Sequence, residues 1–251
     1  YCGQGPRRPA YRRTYADTAR NMKNSIPIYR TPTIVAAVTG TKRPSANIKT
    51  GPMLQLSILV SGVSPMDALR QGLDRIICGG CPYSSKANGG KQICYVRVEQ
   101  MPTAVWKSVK DEPIPDINPA DIRPGQAIRL GAYGDPGFLP ISLLEAWTIG
   151  RKGWTGYSHQ WRTLPIEYSQ YLMASCETPA DVKLANERGW RSYRAMERPD
   201  SPLSGNEILC PYVSKQGTVQ CADCRLCSGS SIGAKNIVIP MHGGRFNRKV
   251  A

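Results

Sequence analysis

Short apolar segments recur along the chain, separated by polar turns. Apolar β-branched runs at 33–38 and Leu54–Val60 predict buried strands, and helical spacing over 65–77 predicts a helix. Strand and helix patterns then alternate. The further predicted strands are 95–98, 127–133, 154–159, 171–175, 191–195 and Asn236–Pro240, and the further predicted helices are 102–110, 140–151 and 179–188.

This alternation predicts the fold class and the domains. Strand–helix–strand units with short links are typical of a parallel sheet covered by helices, so we expect an α/β fold with six or seven strands. A partial (β/α) barrel is favoured over an open parallel sheet. We expect a basic flexible arm over 1–31, an α/β core with a three-cysteine loop over 32–202, and a cysteine-rich, metal-binding appendage over 203–251.

Charge is concentrated at the two ends of the chain. The net charge is +15, and residues 1–50 contain ten Lys or Arg against one acidic residue. The tail from residue 228 adds four basic residues and no acid. Basic segments attract polyanions through phosphate contacts and counterion release, so we expect the termini to bind nucleic acid. A solvated basic surface without a partner is the alternative.

The apolar runs are shorter than the roughly 18 residues that a membrane span needs, and the first thirty residues show no leader pattern. We therefore expect a cytoplasmic protein without a membrane partner. Thiols stay reduced in that compartment, where cysteine clusters hold metals more often than they form disulfides. Disulfides remain the alternative.

Seven of the nine cysteines fall into two groups. The first group is Cys78, Cys81 and Cys94, and the second is Cys210, Cys221, Cys224 and Cys227. Four thiolates complete a tetrahedral site, whereas three leave one coordination position open for a substrate. The successive two-residue gaps of the second group favour a [4Fe–4S] cluster, with zinc as the alternative. Cys176 is either a small buried side chain or a fourth ligand to the first group.

Three successive predicted strands end in polar residues. Gly134 and Asp135 follow the first, His159 and Arg162 the second, and Ser175 ends the third. The carboxyl ends of parallel strands meet at one edge, where α/β proteins bind ligands. We expect an active site there with Asp135, His159 and Arg162 as catalytic candidates. His159 suits proton transfer or ligation, and an ordinary packing role is its alternative.

The first cysteine group and the polar end of the next predicted strand together resemble the motifs of a known enzyme family. Tyr95 directly follows the last cysteine of the first group, and Gly134-Asp135-Pro136 follows the next predicted strand. On these residues, segment 54–196 resembles the radical S-adenosylmethionine enzymes. Those proteins hold a [4Fe–4S] cluster with three cysteines in an early loop of a β/α barrel, and a Gly-Gly-Glu-Pro-like motif grips the methionyl amino group.

The resemblance implies a cluster on the first cysteine group, with Tyr95, Gly134, Asp135 and Ser175 binding S-adenosylmethionine. The spacing departs from that family, since two and then twelve residues separate these cysteines in place of three and then two. Most of the chain is also similar to a group of phage and plasmid proteins with a C-x2-C…C-Tyr-Val loop, a Tyr-Gly-Asp-Pro strand and a Gly-Tyr-x-His-Gln-Trp strand. This second resemblance implies no activity.

Three hypotheses follow. The first is an iron–sulfur, radical S-adenosylmethionine-like protein of a mobile element that acts on nucleic acid or a nucleotide, with one or two [4Fe–4S] clusters. The second is a zinc-stabilised nucleic-acid-binding protein without catalysis. The third is a structural component of a larger particle. The sequence lacks a G-x4-G-K-[ST] phosphate loop, a G-x-G-x-x-G turn and a G-x-S-x-G elbow, which argues against those enzyme classes.

Overall fold

A computed structural model describes residues 22–85, 94–197, 202–230 and 233–241. Within these ranges the chain forms one mixed sheet of nine strands. The strands are β1 (Ser25–Arg30), β2 (Ile34–Thr39), β3 (Leu54–Val60), β4 (Ile128–Tyr133), β5 (Trp154–Ser158), β6 (Met173–Cys176), β7 (Ser192–Met196), β8 (Glu207–Leu209) and β9 (Asn236–Pro240).

The sheet is open, and its strand order is β1-β2-β3-β4-β5-β6-β7-β9-β8. The first three strands pair antiparallel, and every later pair is parallel. Strands β3 to β7 lie side by side in chain order. The predicted α/β class and the predominantly parallel sheet are therefore confirmed, and the sheet does not close into a barrel.

The helices lie mostly between parallel strands, as right-handed crossover connections require. They are α1 (Pro65–Arg70), α2 (Arg75–Cys78), α3 (Met101–Val109), α4 (Ile141–Thr148), α5 (Pro179–Glu187), α6 (Pro211–Ser214) and α7 (Cys221–Cys224). Four 3-10 turns join them at Pro119–Asp121, Pro136–Phe138, His159–Arg162 and Ile166–Gln170. No helix in the described ranges is both long and apolar enough to cross a membrane.

Several predicted elements differ from the structure. The helix expected over 65–77 is split into α1 and α2, because Gly72 between them has φ +67°, outside the helical region. No strand forms at 95–98, where the chain turns instead. The other predicted helices and strands are present within a few residues of their expected bounds.

The α/β core was predicted over 32–202, but in the structure the sheet extends beyond both of these bounds. Residues 25–30, assigned to the flexible arm, form β1, because Ile26 is buried and the backbone pairs with β2. Residues 1–21 of the predicted arm lie outside the described residues. The C-terminal segment is not a separate appendage, since its strands β8 and β9 extend the central sheet and β9 lies directly beside β7.

The two faces of the parallel strands have different environments. Successive residues of a strand point to opposite faces, and along β4 Ile128 and Leu130 enter the hydrophobic core with Leu144 and Trp147 of α4. The intervening residues of β4, beginning with Arg129, line a cavity on the other face. One face of the sheet is therefore packed against helices, and the other is available for a ligand.

A buried ion pair holds the C-terminal strands to the sheet. The Arg194 guanidinium of β7 donates to both carboxylate oxygens of Glu207 in β8, with N–O distances of 2.8 and 2.9 Å. Their side chains are 3% and 0% exposed. The Ser204 backbone N–H adds a third hydrogen bond to Glu207 at 2.9 Å. The carboxylate is thus fully partnered, as a buried charge must be.

We predict that Glu207→Ala lowers the free energy of unfolding by about 3–5 kcal/mol, because it leaves the Arg194 guanidinium buried without a counter-charge. Urea denaturation followed by circular dichroism measures the change. The matched control is Glu187→Ala, which removes an exposed partner 3.9 Å from Lys183 and should cost less than about 0.5 kcal/mol. Equal losses in both variants would contradict the assigned role of the buried pair.

This contribution depends on pH. Burial alone would raise the pKa of the Glu207 carboxyl, but hydrogen bonds from Arg194 and Ser204 lower it overall. A lowered pKa in the folded state means that the pair stabilises the fold above the ordinary pKa of the carboxyl. The stabilisation is lost as the pH falls through the folded-state pKa, and the difference between wild type and Glu207→Ala should shrink in acid.

Candidate functional site

A cavity of about 350 Å³ occupies the sheet face that the helices leave uncovered. Alternate residues of the parallel strands form its floor, and the two cysteine groups lie at its opposite ends. Cys78, Cys81 and Cys94 line it near the carboxyl ends of the strands, and Cys221 lines it near their amino ends. Its size is in the range of small-molecule sites.

The loop that carries the first cysteine group is held by a buried carboxylate. Helix α2 ends at Cys78, and Asp74 just before that helix is 2% exposed. The Asp74 carboxylate accepts hydrogen bonds from the Ser85 backbone N–H at 3.0 Å and from the Ser85 hydroxyl at 2.6 Å. The loop between them is therefore folded back, which directs Cys78 and Cys81 toward the cavity.

Asp135 connects this loop to two strand ends. Its backbone N–H donates to the Ile77 carbonyl at 2.6 Å. One carboxylate oxygen accepts from the Gly137 N–H at 2.8 Å, and the other accepts from the His159 N–H at 2.7 Å. Asp135 is 6% exposed and lines the cavity. Its carboxylate is thus largely engaged by backbone donors, which fix the turns that follow β4 and β5.

His159 connects the first cysteine group to a second carboxylate. Its Nε2 lies 2.9 Å from Oε1 of Glu177, and its ring is hydrogen-bonded to Cys81. Burial alone would lower the pKa of His159, but these two partners raise it to about 10. The Tyr83 ring meets the imidazole edge-on, with centroids 6.1 Å apart. The imidazole is therefore held in one orientation as a cation between a thiol and a carboxylate.

All four cysteines of the second group line a smaller pocket of about 20 Å³ beside the main cavity. Burial raises the pKa of Cys227 to about 12; a hydrogen bond with Tyr157 opposes this shift, and the other three thiols add to it. The segment is held in place by backbone hydrogen bonds from Cys221 N–H to Lys49 O at 2.9 Å and from Gly156 N–H to Cys227 O at 3.1 Å. The group is therefore docked against the amino ends of the sheet.

Two cations lie at the same end of the cavity. Arg129 projects from β4, where its Nη2 donates to the Tyr95 hydroxyl, and its buried Nε has no hydrogen-bond partner. Burial lowers the pKa of Lys49, and nearby Arg129 lowers it further, while the thiols of Cys210 and Cys221 oppose the shift. Neither cation pairs with a carboxylate in the described part of the chain.

Most predicted site residues meet in the cavity. Those that line it are Cys78, Cys81, Cys94, Tyr95, Gly134, Asp135, His159 and Ser175. Arg162 does not line it; its guanidinium stacks on the Trp161 ring at 4.3 Å and pairs with Asp181. Cys176 is 1% exposed in the hydrophobic core, which agrees with the alternative of a small buried side chain.

Sequence reasoning missed Glu177, Arg129 and Lys49, together with the cavity-lining Tyr157 and Tyr193. The strand alternation contained a signal for some of them. Position 129 of β4 and positions 155 and 157 of β5 line the cavity, and strand alternation places 155 and 157 on one face. If that face of the strands is assigned to a ligand site, Arg129 and Tyr157 become candidate site residues. Lys49 comes from a loop, and no pattern indicated its position.

The described residues contain no group of three or more His, Cys, Asp or Glu side chains arranged to hold a metal ion. The eight cysteines within these ranges form no disulfide with one another. In donor chemistry both cysteine groups suit soft metals or iron–sulfur clusters. The thiols of each group line a common pocket, so the groups suit such a metal by residue type, although the described side chains are not arranged as a ligand shell.

Comparisons of the chain with protein-family models, with curated proteins and with solved structures find no match.

We predict that Gly134→Ala destabilises the edge of the cavity. Gly134 has φ +76°, and a Cβ there would lie 2.8 Å from the Ile58 carbonyl oxygen. The matched control is Gly62→Ala, with φ +71° and no neighbour within 4 Å of the added atom. The control should lose about 1–2 kcal/mol of unfolding free energy through backbone strain alone, and Gly134→Ala should lose clearly more. Denaturant titration compares them, and equal losses would contradict the steric argument.

Proposed function

We propose that this chain is an iron–sulfur, radical S-adenosylmethionine-like protein that acts on a nucleotide or nucleic-acid substrate. One observation carries the proposal. The three cysteines of the first group line the same end of one cavity as Gly134, Asp135, His159 and Ser175. Convergence of an incomplete ligand set and polar strand ends on a cavity is typical of an active site.

The strand order supports the same proposal. Strands β3 to β7 are neighbours in chain order, as successive strands of a (β/α) barrel are, and a partial barrel would be compatible with this order in an open sheet. In that arrangement the cavity occupies the position of the barrel interior. The early loop with the cysteines reaches its carboxyl end, as in the enzymes that the sequence resembles.

The residue types of the first group suit a bound cluster. Burial raises the pKa of Cys78, and the adjacent thiols of Cys81 and Cys94 raise it further. Three neighbouring thiols cannot ionise together without a counter-charge, and bound iron supplies one. The absence of a fourth cysteine in the loop would leave one coordination position for a substrate.

A bound [4Fe–4S] cluster would supply an electron to the sulfonium of S-adenosylmethionine. The chain's own residues would position the reactants. His159 donates to the Cys81 sulfur and is fixed by Glu177, and Asp135 holds the two turns that shape the cavity. Tyr95 and Ser175 lie on the cavity wall, where they would contact the cofactor. Arg162, which does not line the cavity, would not contact the reactants directly.

The second cysteine group would hold a closed site, for which we favour a [4Fe–4S] cluster over zinc. Its ligands come from two short helices and the loop after them, so a metal would fasten the segment before β9 to the sheet. Free energy of ligation is then free energy of folding for this segment.

We predict that anaerobically reconstituted protein contains iron and sulfide, binds S-adenosylmethionine and cleaves it slowly after reduction. Cys78→Ser should lose the cluster of the first group together with this cleavage. Cys224→Ser should lose only the second metal and make residues 202–241 sensitive to protease. Metal analysis, electron paramagnetic resonance and chromatography of the cleavage products provide the measurements.

The matched control is Cys176→Ser, since this cysteine lies in the core away from both groups. It should keep the full metal content. Zinc at both groups, or a cluster that never binds S-adenosylmethionine, would exclude the enzyme. In that case a zinc-stabilised nucleic-acid-binding protein or a structural component of a larger complex is the remaining function.

Nucleic acid is the proposed partner of the basic termini. Residues 1–50 and the tail from residue 228 carry 13 of the 15 net positive charges. A polyanion would bind such segments through its phosphates whether or not it enters the cavity. This contact supports both the enzymatic and the non-catalytic alternative.

We predict that affinity for single-stranded nucleic acid falls steeply with salt, because each neutralised phosphate releases counterions. Deletion of residues 1–21 removes five Lys or Arg and should flatten the plot of log affinity against log salt. Fluorescence anisotropy at several salt concentrations measures the slope. The same slope with and without these residues would show that they make no phosphate contacts.

A further inference from the structure

The amino end of the cavity contains two positive charges without carboxylate partners. Arg129 and Lys49 both line the cavity, and neither forms an ion pair within the described ranges. Two other buried guanidinium groups are held by partners within the chain, since Arg194 pairs with Glu207 and Arg191 donates to the backbone carbonyls of Gly229 and Lys235. Arg129 and Lys49 are both half-buried, and a partly desolvated cation without such a partner favours a ligand that supplies the negative charge.

Arg129 has unused donors that a ligand could bind. Its Nη2 donates to the Tyr95 hydroxyl, and its guanidinium carbon lies 5.9 Å from the centre of the Tyr95 ring. Its Nε is buried and has no partner in the structure. A buried donor left unsatisfied carries a desolvation penalty, and an oxyanion would remove it.

The surrounding side chains do not neutralise these charges. Among the described residues, Asp135 is the one carboxylate that lines the cavity, and backbone donors at the carboxyl end of the strands occupy both of its oxygens. Tyr157 and Tyr193 also line the cavity, and a phenol carries no charge near neutral pH. Their rings contact each other with centroids 4.1 Å apart and form an aromatic wall.

We infer that Arg129 and Lys49 form a subsite for the phosphate of a small phosphorylated substrate, such as a nucleoside monophosphate. A phosphate monoester carries a charge of about −1.5 to −2 near neutral pH, which matches two cations better than a single carboxylate does. The planar Arg fork presents paired donors, and Lys adds a point charge. The Tyr157 and Tyr193 rings provide a surface on which a base can pack.

This subsite fixes the orientation of the substrate. The phosphate would lie at the amino ends of the strands, and the rest of the molecule would extend toward Cys78, Cys81 and His159 at the other end. The inference rests on the proposed function only in taking the cavity as the substrate site. It names a small phosphorylated molecule as the occupant, rather than a nucleic-acid chain.

The test uses the full chain, reconstituted anaerobically, with inorganic phosphate, the four common ribonucleoside monophosphates and the matching nucleosides as probes in isothermal titration calorimetry. At least one monophosphate should bind about tenfold or more tightly than its nucleoside. Arg129→Gln and Lys49→Gln should each weaken that monophosphate by about tenfold or more, the expected loss of one charge-assisted contact. Arg70→Gln is the matched control, because Arg70 is exposed and pairs with Asp67.

The outcomes separate this inference from the proposed function. Phosphate binding that depends on Arg129, in protein without a cluster, would keep the subsite and exclude the radical enzyme. A rival role for the two cations is to neutralise the nearby four-cysteine site. If both Gln variants lower metal content but bind the monophosphate like wild type, that rival is correct and the subsite is overturned. The subsite is also overturned if none of the phosphate compounds binds the wild-type chain.

Discussion

The geometry of the cavity depends on the hydrogen bonds of Asp135. Its backbone N–H holds the Ile77 carbonyl, next to the first cysteine, and its two carboxylate oxygens hold the N–H groups of Gly137 and His159. One buried residue therefore joins the cysteine loop to the ends of two parallel strands. Because the His159 ring in turn contacts Cys81 and Glu177, the same connection extends to the end of the third strand. Removal of this carboxylate would leave backbone donors unsatisfied and would release several parts of the site together.

Asp135 also has a structural role that the motif alone does not indicate. The sequence places a carboxylate after β4, and the resemblance assigns it to a cofactor amino group. In the structure its oxygens already cap the 3-10 turn and orient His159. A carboxylate oxygen has a second lone pair, so these bonds are compatible with a ligand contact. Under the proposed function, positioning and binding would be coupled at this residue, and a loss of cofactor binding on its mutation would have two physical causes.

The elements that could be predicted from the sequence are those that depend on interactions between residues close together in the chain. The apolar periodicity of β3 to β7 and of the helices between them is local, and these elements were predicted nearly in full. The first helix ends near Gly72 because that residue has a positive φ, and β1 and β8 join the sheet through backbone pairing. The apolar periodicity of the sequence indicates neither feature. At the site, the polar strand ends were predicted because parallel strands share an edge. Arg129 was missed, since a charged residue within a strand is ordinarily assigned to solvent, and here the opposite face of the sheet is a cavity.

The two ends of the cavity differ in charge for a structural reason. At the carboxyl end, the thiols lie among His159, Asp135 and Glu177, where positive and negative groups are paired. At the amino end, Arg129 and Lys49 lie beside neutral tyrosines and the second cysteine group, which approaches through the backbone contact between Cys221 and Lys49.

The C-terminal strands thus do more than extend the sheet. By docking the four-cysteine segment against the start of the parallel strands, they place it beside Lys49 and Arg129, which are both half-buried. Electrostatic attraction for an anion is stronger there than it would be in water.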